Sequence, residues 1–428
     1  MSAPNKGANI DQLEIAKDAE PVASTAIEAY RHALNVLADH LNAQATQEGS
    51  TSQLVWIDSD QNPWRNLVCP LAARSPCVSY AILATAAANI YVKIDPNSSE
   101  KAISLYILTE YRQRALSLLT NNLSQARRFN EQENAEAKVQ NFRESLAATL
   151  LHWHLEMHFP SDSTWKIHLR TAQALVYSHC LIATSKSQFD ECGTFLLQEF
   201  YCATIWPRLT LNIDIEDVAL TLPLRNQGDA FIGFVRLMHR LILLASRPNC
   251  EIAPKKTKLT MSITELESEA SRNRQSVLES LQRNDLSSRL CPFDDVLHVV
   301  DAWFYAILIF GYQVIGPTCE TTDFIQNDCD CLFQALESLS SPLSFAQNQP
   351  WPLFIAGTEC AGDKYRQNWV ESRFQLLIQN ICPLDRPRML RFLKEWWNDY
   401  DVKSGYGGTG NWLEFIRRAQ SHQDFIIW

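Results

Sequence analysis

The sequence predicts an all-α protein, an irregular multi-helix array in two halves that share one core. Apolar residues recur at intervals of three and four along most of its 428 positions, and alternating strand patterns are scarce. With 46% apolar residues, including 19 Phe, 12 Tyr and 12 Trp, the chain can fill a large interior, which excludes global disorder.

The first helical pattern, residues 78–92, is crowded with Ala81, Ala84, Ala86, Ala87 and Ala88, and small side chains let neighbouring helices approach closely. Ile107, Leu108, Tyr111, Ala115, Leu118 and Leu119 form the stripe of an amphipathic helix. Residues 142–158 place Phe142, Leu146, Leu150, Trp153 and Met157 on one face and Leu151 and Leu155 on another, so this helix should be buried nearly all round. Helical patterns follow at 165–181, 195–208, 229–246, 264–283, 293–314, 327–338, 364–379, 388–400 and 411–421. The apolar run from Val299 to Gly316 holds Asp301 and Gln313 and is too short for a comfortable membrane span, so it reads as a buried helix.

Residues 1–24 read as a loosely ordered tail, and 247–262 as a linker in which Pro248, Asn249, Pro254 and a Lys cluster interrupt two helices. The expected units are an N-terminal helical half, 25–246, and a C-terminal half, 263–428. No repeat of fixed period appears.

The 38 Lys and Arg against 48 Asp and Glu leave a net charge of −10, so no broad basic field exists to attract nucleic-acid phosphates or anionic lipids. Neither direct nucleic-acid binding nor membrane association is expected. The start of the chain has neither the apolar segment of a secretory signal nor the acid-poor composition of a transit peptide. An intracellular setting follows, with the 12 dispersed Cys as mostly buried thiols rather than a disulfide framework.

Five stretches together resemble the fungal-specific transcription factor domain. They are Cys69-Pro-Leu-Ala-Ala-Arg-Ser-Pro76 ahead of the Ala-rich helix; residues 150–176 with Glu156, Trp165, His168, Leu169 and Arg170; residues 195–208; Trp351-Pro-Leu-Phe-Ile-Ala-Gly-Thr-Glu-Cys360; and residues 388–397. The resemblance implies a nuclear regulator, often of catabolic or secondary-metabolite genes, whose helical domain carries regulatory and partner contacts. Such regulators usually read DNA through a zinc binuclear cluster of six closely spaced thiolates followed by basic residues. Here the first cysteine is Cys69, and the tightest pair, Cys329 and Cys331, lies beside Asp328 and Asp330.

Several clusters invite chemistry. His152, His154 and His158 flank Glu156, but at about 100° per residue His152 and His154 point about 200° apart, so one ion cannot take all three on a continuous helix. No metal or cofactor is expected. Trp165, His168 and Arg170 are the candidate ligand-binding residues implied by the resemblance, although packing of a shared scaffold is the favoured reading, since Trp165 and His168 share a face and would bury together. Asp294, His298 and Asp301 are the candidate catalytic residues, because their spacing of four and three stacks carboxylates and an imidazole on one helix face. Asp294 and Asp295 also suit a helix start, where negative charge is favourable, and faintly resemble the aspartate-rich motif of all-α terpenoid synthases without its companion metal motif.

The Gly405-Tyr-Gly-Gly-Thr-Gly410 run has no preceding strand and no P-loop Lys, so a flexible connection explains it. Pro254-Lys-Lys-Thr-Lys258 fits either an importer signal or a solvated linker. The expected function is regulation of transcription without a zinc cluster, through a DNA-binding partner protein, a homodimer or a small-molecule effector sensed in an apolar cavity. The alternative is a small-molecule pathway enzyme, a cyclase or acid/base catalyst, on the same scaffold.

Overall fold

The computed structural model describes residues 62–95, 97–126, 135–158, 164–182, 190–210, 231–245, 260–283, 292–316, 319–380, 385–404 and 411–419. The residues 1–24, most of the linker 247–262, and the 405–410 glycine run lie outside them. Among the described residues every regular element is helical. A widened π turn, Trp64–Val68, leads into α1 (Cys69–Ala72). Then come α2 (Pro76–Lys93), α3 (Ser99–Ala126), α4 (Ala135–Glu156), α5 (Thr164–Ile182) and α6 (Glu191–Ile205). The rest are α7 (Ile232–Ala245), α8 (Ile263–Arg283), α9 (Phe293–Ile315), α10 (Cys319–Glu337), α11 (Pro350–Thr358), α12 (Lys364–Asn380), α13 (Asp385–Ser404) and α14 (Trp412–Ala419).

The two ends of the array are built differently. Helices α2 to α5 pack mostly on their sequence neighbours, and α2 reaches α4 as its alanines permit close approach. A satellite core of Ala84, Ala86, Ala87, Ala88, Ile107, Leu108 and Leu155 fills the space among α2, α3 and α4. The second group gathers around α9, which touches α7, α8, α10 and α11. Helix α9 buries most of its surface, with Val299, Val300, Trp303, Ala306, Ile307, Phe310 and Tyr312 all enclosed and only a narrow stripe at Asp294, His298 and Asp301 left polar. The main core runs without a break from Trp64 to Ile416. Helix α7 precedes the 247–262 segment in sequence but packs with α8 and α9, which follow it.

Among the boundaries that differ from the apolar pattern, three show the physical reason clearly. Helix α6 begins at Glu191, because the Asp190 carboxylate caps it by accepting the Gly193 N–H at 2.9 Å. It ends at Ile205 rather than at Arg208, and Trp206–Arg208 tightens into a 3-10 turn at Pro207, which has no amide hydrogen to give. Helix α10 starts eight residues before the pattern at 327, in mostly polar sequence that Thr321, Phe324 against Tyr312, and Ile325 tie to the core.

Helices α8 and α9 meet at Gly311, where an added Cβ would stand 2.4 Å from Leu266 Cδ2. Leu266 is itself fully enclosed and has nowhere to move. Gly311→Ala should therefore destabilise the fold by about 1–2 kcal/mol, an overpacking cost of about 1–3 kcal/mol partly offset by the better helix propensity of Ala. A denaturant midpoint equal to or above that of the parent would refute this close approach.

Candidate functional site

The residues proposed from the 150–176 stretch divide on folding. Trp165 turns into the core at 6% exposure, the His168 side chain is 11% exposed, and Arg170 faces solvent. Arg170 does not join the other two. Helix α4 instead brings His152 and Glu156 to His168: the His152 and His168 rings stack with centroids 5.3 Å apart and planes 16° from parallel. Glu156, at the end of α4, has a fully enclosed side chain, and its carboxylate accepts from Arg112 Nη2 of α3 at 2.5 Å and from Thr164 Oγ1 of α5 at 2.7 Å. His168 Nε2 stands 3.8 Å from the same carboxylate. Three helices are thus tied at one buried charge.

Burial dominates the electrostatics here. It pushes His152 down to about 3, helped by the neighbouring His168 and Arg112 charges, so the ring is neutral at physiological pH. His154 points the other way, as its helical position requires, meeting Trp64 and Trp153 edge-on at 5.8 and 4.8 Å, and is likewise pushed down to about 3. Among the described residues no three His, Cys, Asp or Glu side chains are placed to hold one metal ion. Burial also raises the thiols, Cys77 and Cys329 to about 12 and Cys192 to about 11.

Two members of the acid and imidazole cluster on α9 take partners from other elements. Asp301 faces Arg274 of α8 at 2.7 Å, and that guanidinium also lies 5.6 Å above the Phe304 ring. Asp294 is exposed and His298 half-buried. Asp295 is enclosed and accepts the backbone N–H of Ser340 and Ser341, both at 2.8 Å, and the Ser340 hydroxyl at 3.0 Å. It fastens the turn before Pro342–Phe345 to the start of α9.

A second buried network closes α11. All nine residues Pro350–Thr358 are enclosed. Two indoles of α13 donate to its terminal carbonyls: Trp397 Nε1 to Gly357 O at 2.8 Å, and Trp396 Nε1 to Thr358 O at 3.0 Å. Trp412 Nε1 of α14 donates to Gln313 Oε1 of α9 at 2.8 Å, and the Gln313 amide donates to Glu359. The Thr358 hydroxyl donates to the same carboxylate at 3.2 Å. Glu359 is half-buried as a residue, its carboxyl takes bonds from Gln313 and Thr358 within this network, and burial raises it to about 7.

A sequence model of the fungal specific transcription factor domain matches residues 48–425. The chain belongs to that family. No curated protein and no solved structure matches it. In this fungal transcription factor domain the two most motif-like stretches become the two buried networks. Leu150 to Val176 supplies His152, Glu156, Thr164 and His168, and Trp351 to Cys360 supplies the end of α11. Arg112, Gln313 and Trp412 complete them, yet the sequence does not mark them as network partners: an Arg on an amphipathic helix looks like any solvated position, and Gln313 stands out only as a polar break in an apolar run.

Arg112→Ala would leave Glu156 enclosed without its cation. The loss should be about 2–3 kcal/mol, below the roughly 3–5 kcal/mol of a fully buried pair, because the Arg112 side chain is 36% exposed and water can partly replace it. Equilibrium denaturation measures it, and an unchanged midpoint would show that Glu156 does not depend on the pair. For Glu359 the folded carboxyl at about 7, against an ordinary 4.5, holds its proton more tightly than the unfolded one. Its contribution is therefore complete below pH 4.5 and falls away as pH rises to about 7. Glu359→Gln should gain on the parent across that window, by up to about 3 kcal/mol above pH 7 at about 1.4 kcal/mol per pH unit. Denaturation of both proteins from pH 4 to 8 reads the gap, and a gap independent of pH would contradict the assignment.

Proposed function

We propose that this fungal transcription factor domain regulates transcription in the nucleus, through protein contacts or a small-molecule effector. Its gene set is one for small-molecule metabolism, including secondary metabolites. The observation that carries this reading is the family match across residues 48–425. The net charge of −10 supports it, since a chain without a broad basic field would take its DNA address from a DNA-binding partner protein or from elsewhere in its assembly. A homodimer would serve the same purpose by presenting two regulatory surfaces. No helix among the described residues is long and apolar enough to cross a membrane, in keeping with this setting.

Two carboxylates of the acidic cluster serve as links between helices, Asp301 through Arg274 and Asp295 through the turn at Ser340. Deleting the gene should lower a defined set of transcripts, and fusing the full chain to a heterologous DNA-binding module should change expression of a reporter carrying that module's site. Intact transcripts with one accumulating intermediate, rescued by the parent but not by His298→Ala, would replace this reading with the enzymatic one.

A further inference from the structure

At the junction of α3, α4 and α5, polar atoms are enclosed with no hydrogen-bond partner among the described residues. Both ring nitrogens of His152 and the Nε of Arg112 are buried and have no hydrogen-bond partner. They border the same carboxylate. Glu156 lies one helical turn beyond His152 on α4, and Arg112 reaches it through Nη2 at 2.5 Å. As placed, Glu156 accepts from Arg112 Nη2 and from Thr164 Oγ1 at 2.7 Å, but from neither Arg112 Nε nor a His152 ring nitrogen. The nearly parallel stack of His152 on His168 offers no alternative, since the in-plane N–H of one ring does not aim at the face of the other. Protein interiors seldom leave such groups unmet, because each gives up its bonds to water on burial.

The unmet atoms specify the chemistry of what completes them. Arg112 Nε can only donate, whereas a neutral imidazole donates from one nitrogen and accepts at the other. Arg112 and Glu156 cancel in charge, so an anion would face the carboxylate and a cation the guanidinium. The fitting group is uncharged and can accept from an N–H while donating to a ring nitrogen, which describes a hydroxyl. We propose that the junction of α3, α4 and α5 binds one neutral hydroxyl group between His152 and Arg112, supplied by a resident water or by the alcohol of a small-molecule effector. A buried water with two to four polar partners satisfies such sites in many proteins. An effector alcohol would use the same bonds, making His152 the reader of its hydroxyl.

The full chain tests this without substitution. A high-resolution crystal structure should show a single non-protein peak within hydrogen-bonding distance of a His152 ring nitrogen and Arg112 Nε. Two arms separate the sources. Denaturing the purified chain and extracting it for mass spectrometry should release one equivalent of an alcohol-bearing molecule if an effector is bound. If water is bound, nothing is released and the His152 ring protons show a magnetisation-transfer cross-peak to long-lived water. His152→Leu should lose the peak along with the extracted molecule or the water cross-peak, and should that variant fail to fold, the parent measurements decide alone. Tight carbon packing around His152 with neither peak nor cross-peak overturns the proposal, as does a metal ion or an anion in the position.

Discussion

A helix buried at its C-terminal end leaves carbonyl oxygens in a place water does not reach, and the arrangement of the C-terminal half follows from how α11 meets that constraint. Its last carbonyls at Gly357 and Thr358 take hydrogen bonds from the two neighbouring indoles of α13. Gly357 must stay small for this approach, since an added Cβ would stand 2.6 Å from Leu393 Cδ1 of α13. The next residue, Glu359, fixes α9 through Gln313, and Gln313 in turn fixes α14 through Trp412. One helix end thereby orders three others, and the aromatic residues act as donors as much as filling.

The N-terminal group solves a related problem by a different route. Its helices are joined at an enclosed carboxylate, with Arg112, Thr164 and His168 arriving from two other helices. Such a charge adds little net stability when paired and costs much when left alone, so it favours one arrangement of α3, α4 and α5 over near alternatives. Both networks recruit polar side chains into an interior that is otherwise apolar. The family scaffold is therefore specified by hydrogen bonds at a few helix junctions as well as by the burial of its many aromatic rings.

The helical class was legible in the sequence because periodicity is a local property. Nearly every amphipathic run, from the alanines of α2 to the Trp396 and Trp397 pair of α13, became a helix. Residues 319–326 were not legible, since their polar composition carries no stripe and they are helical through continuity with the rest of α10. The site was legible only by half. Glu156, His168 and the 351–360 motif stood out, but their functions depend on partners up to 99 positions away, as Trp412 is from Gln313. Asp294, His298 and Asp301 lie on α9 at the expected spacing, but a helix face fixes which residues align and not which neighbour claims them. Arg274, arriving from α8, decided the fate of Asp301.

The enclosed thiols have a consequence for life under oxidative stress. Peroxides and soft electrophiles attack thiolates, and a sulfur that keeps its proton up to about pH 12, like Cys77 or Cys329, offers them almost none at cellular pH. Under an oxidative burst these two sulfurs would stay chemically silent, so a redox signal would have to reach the protein at other positions than Cys77 and Cys329.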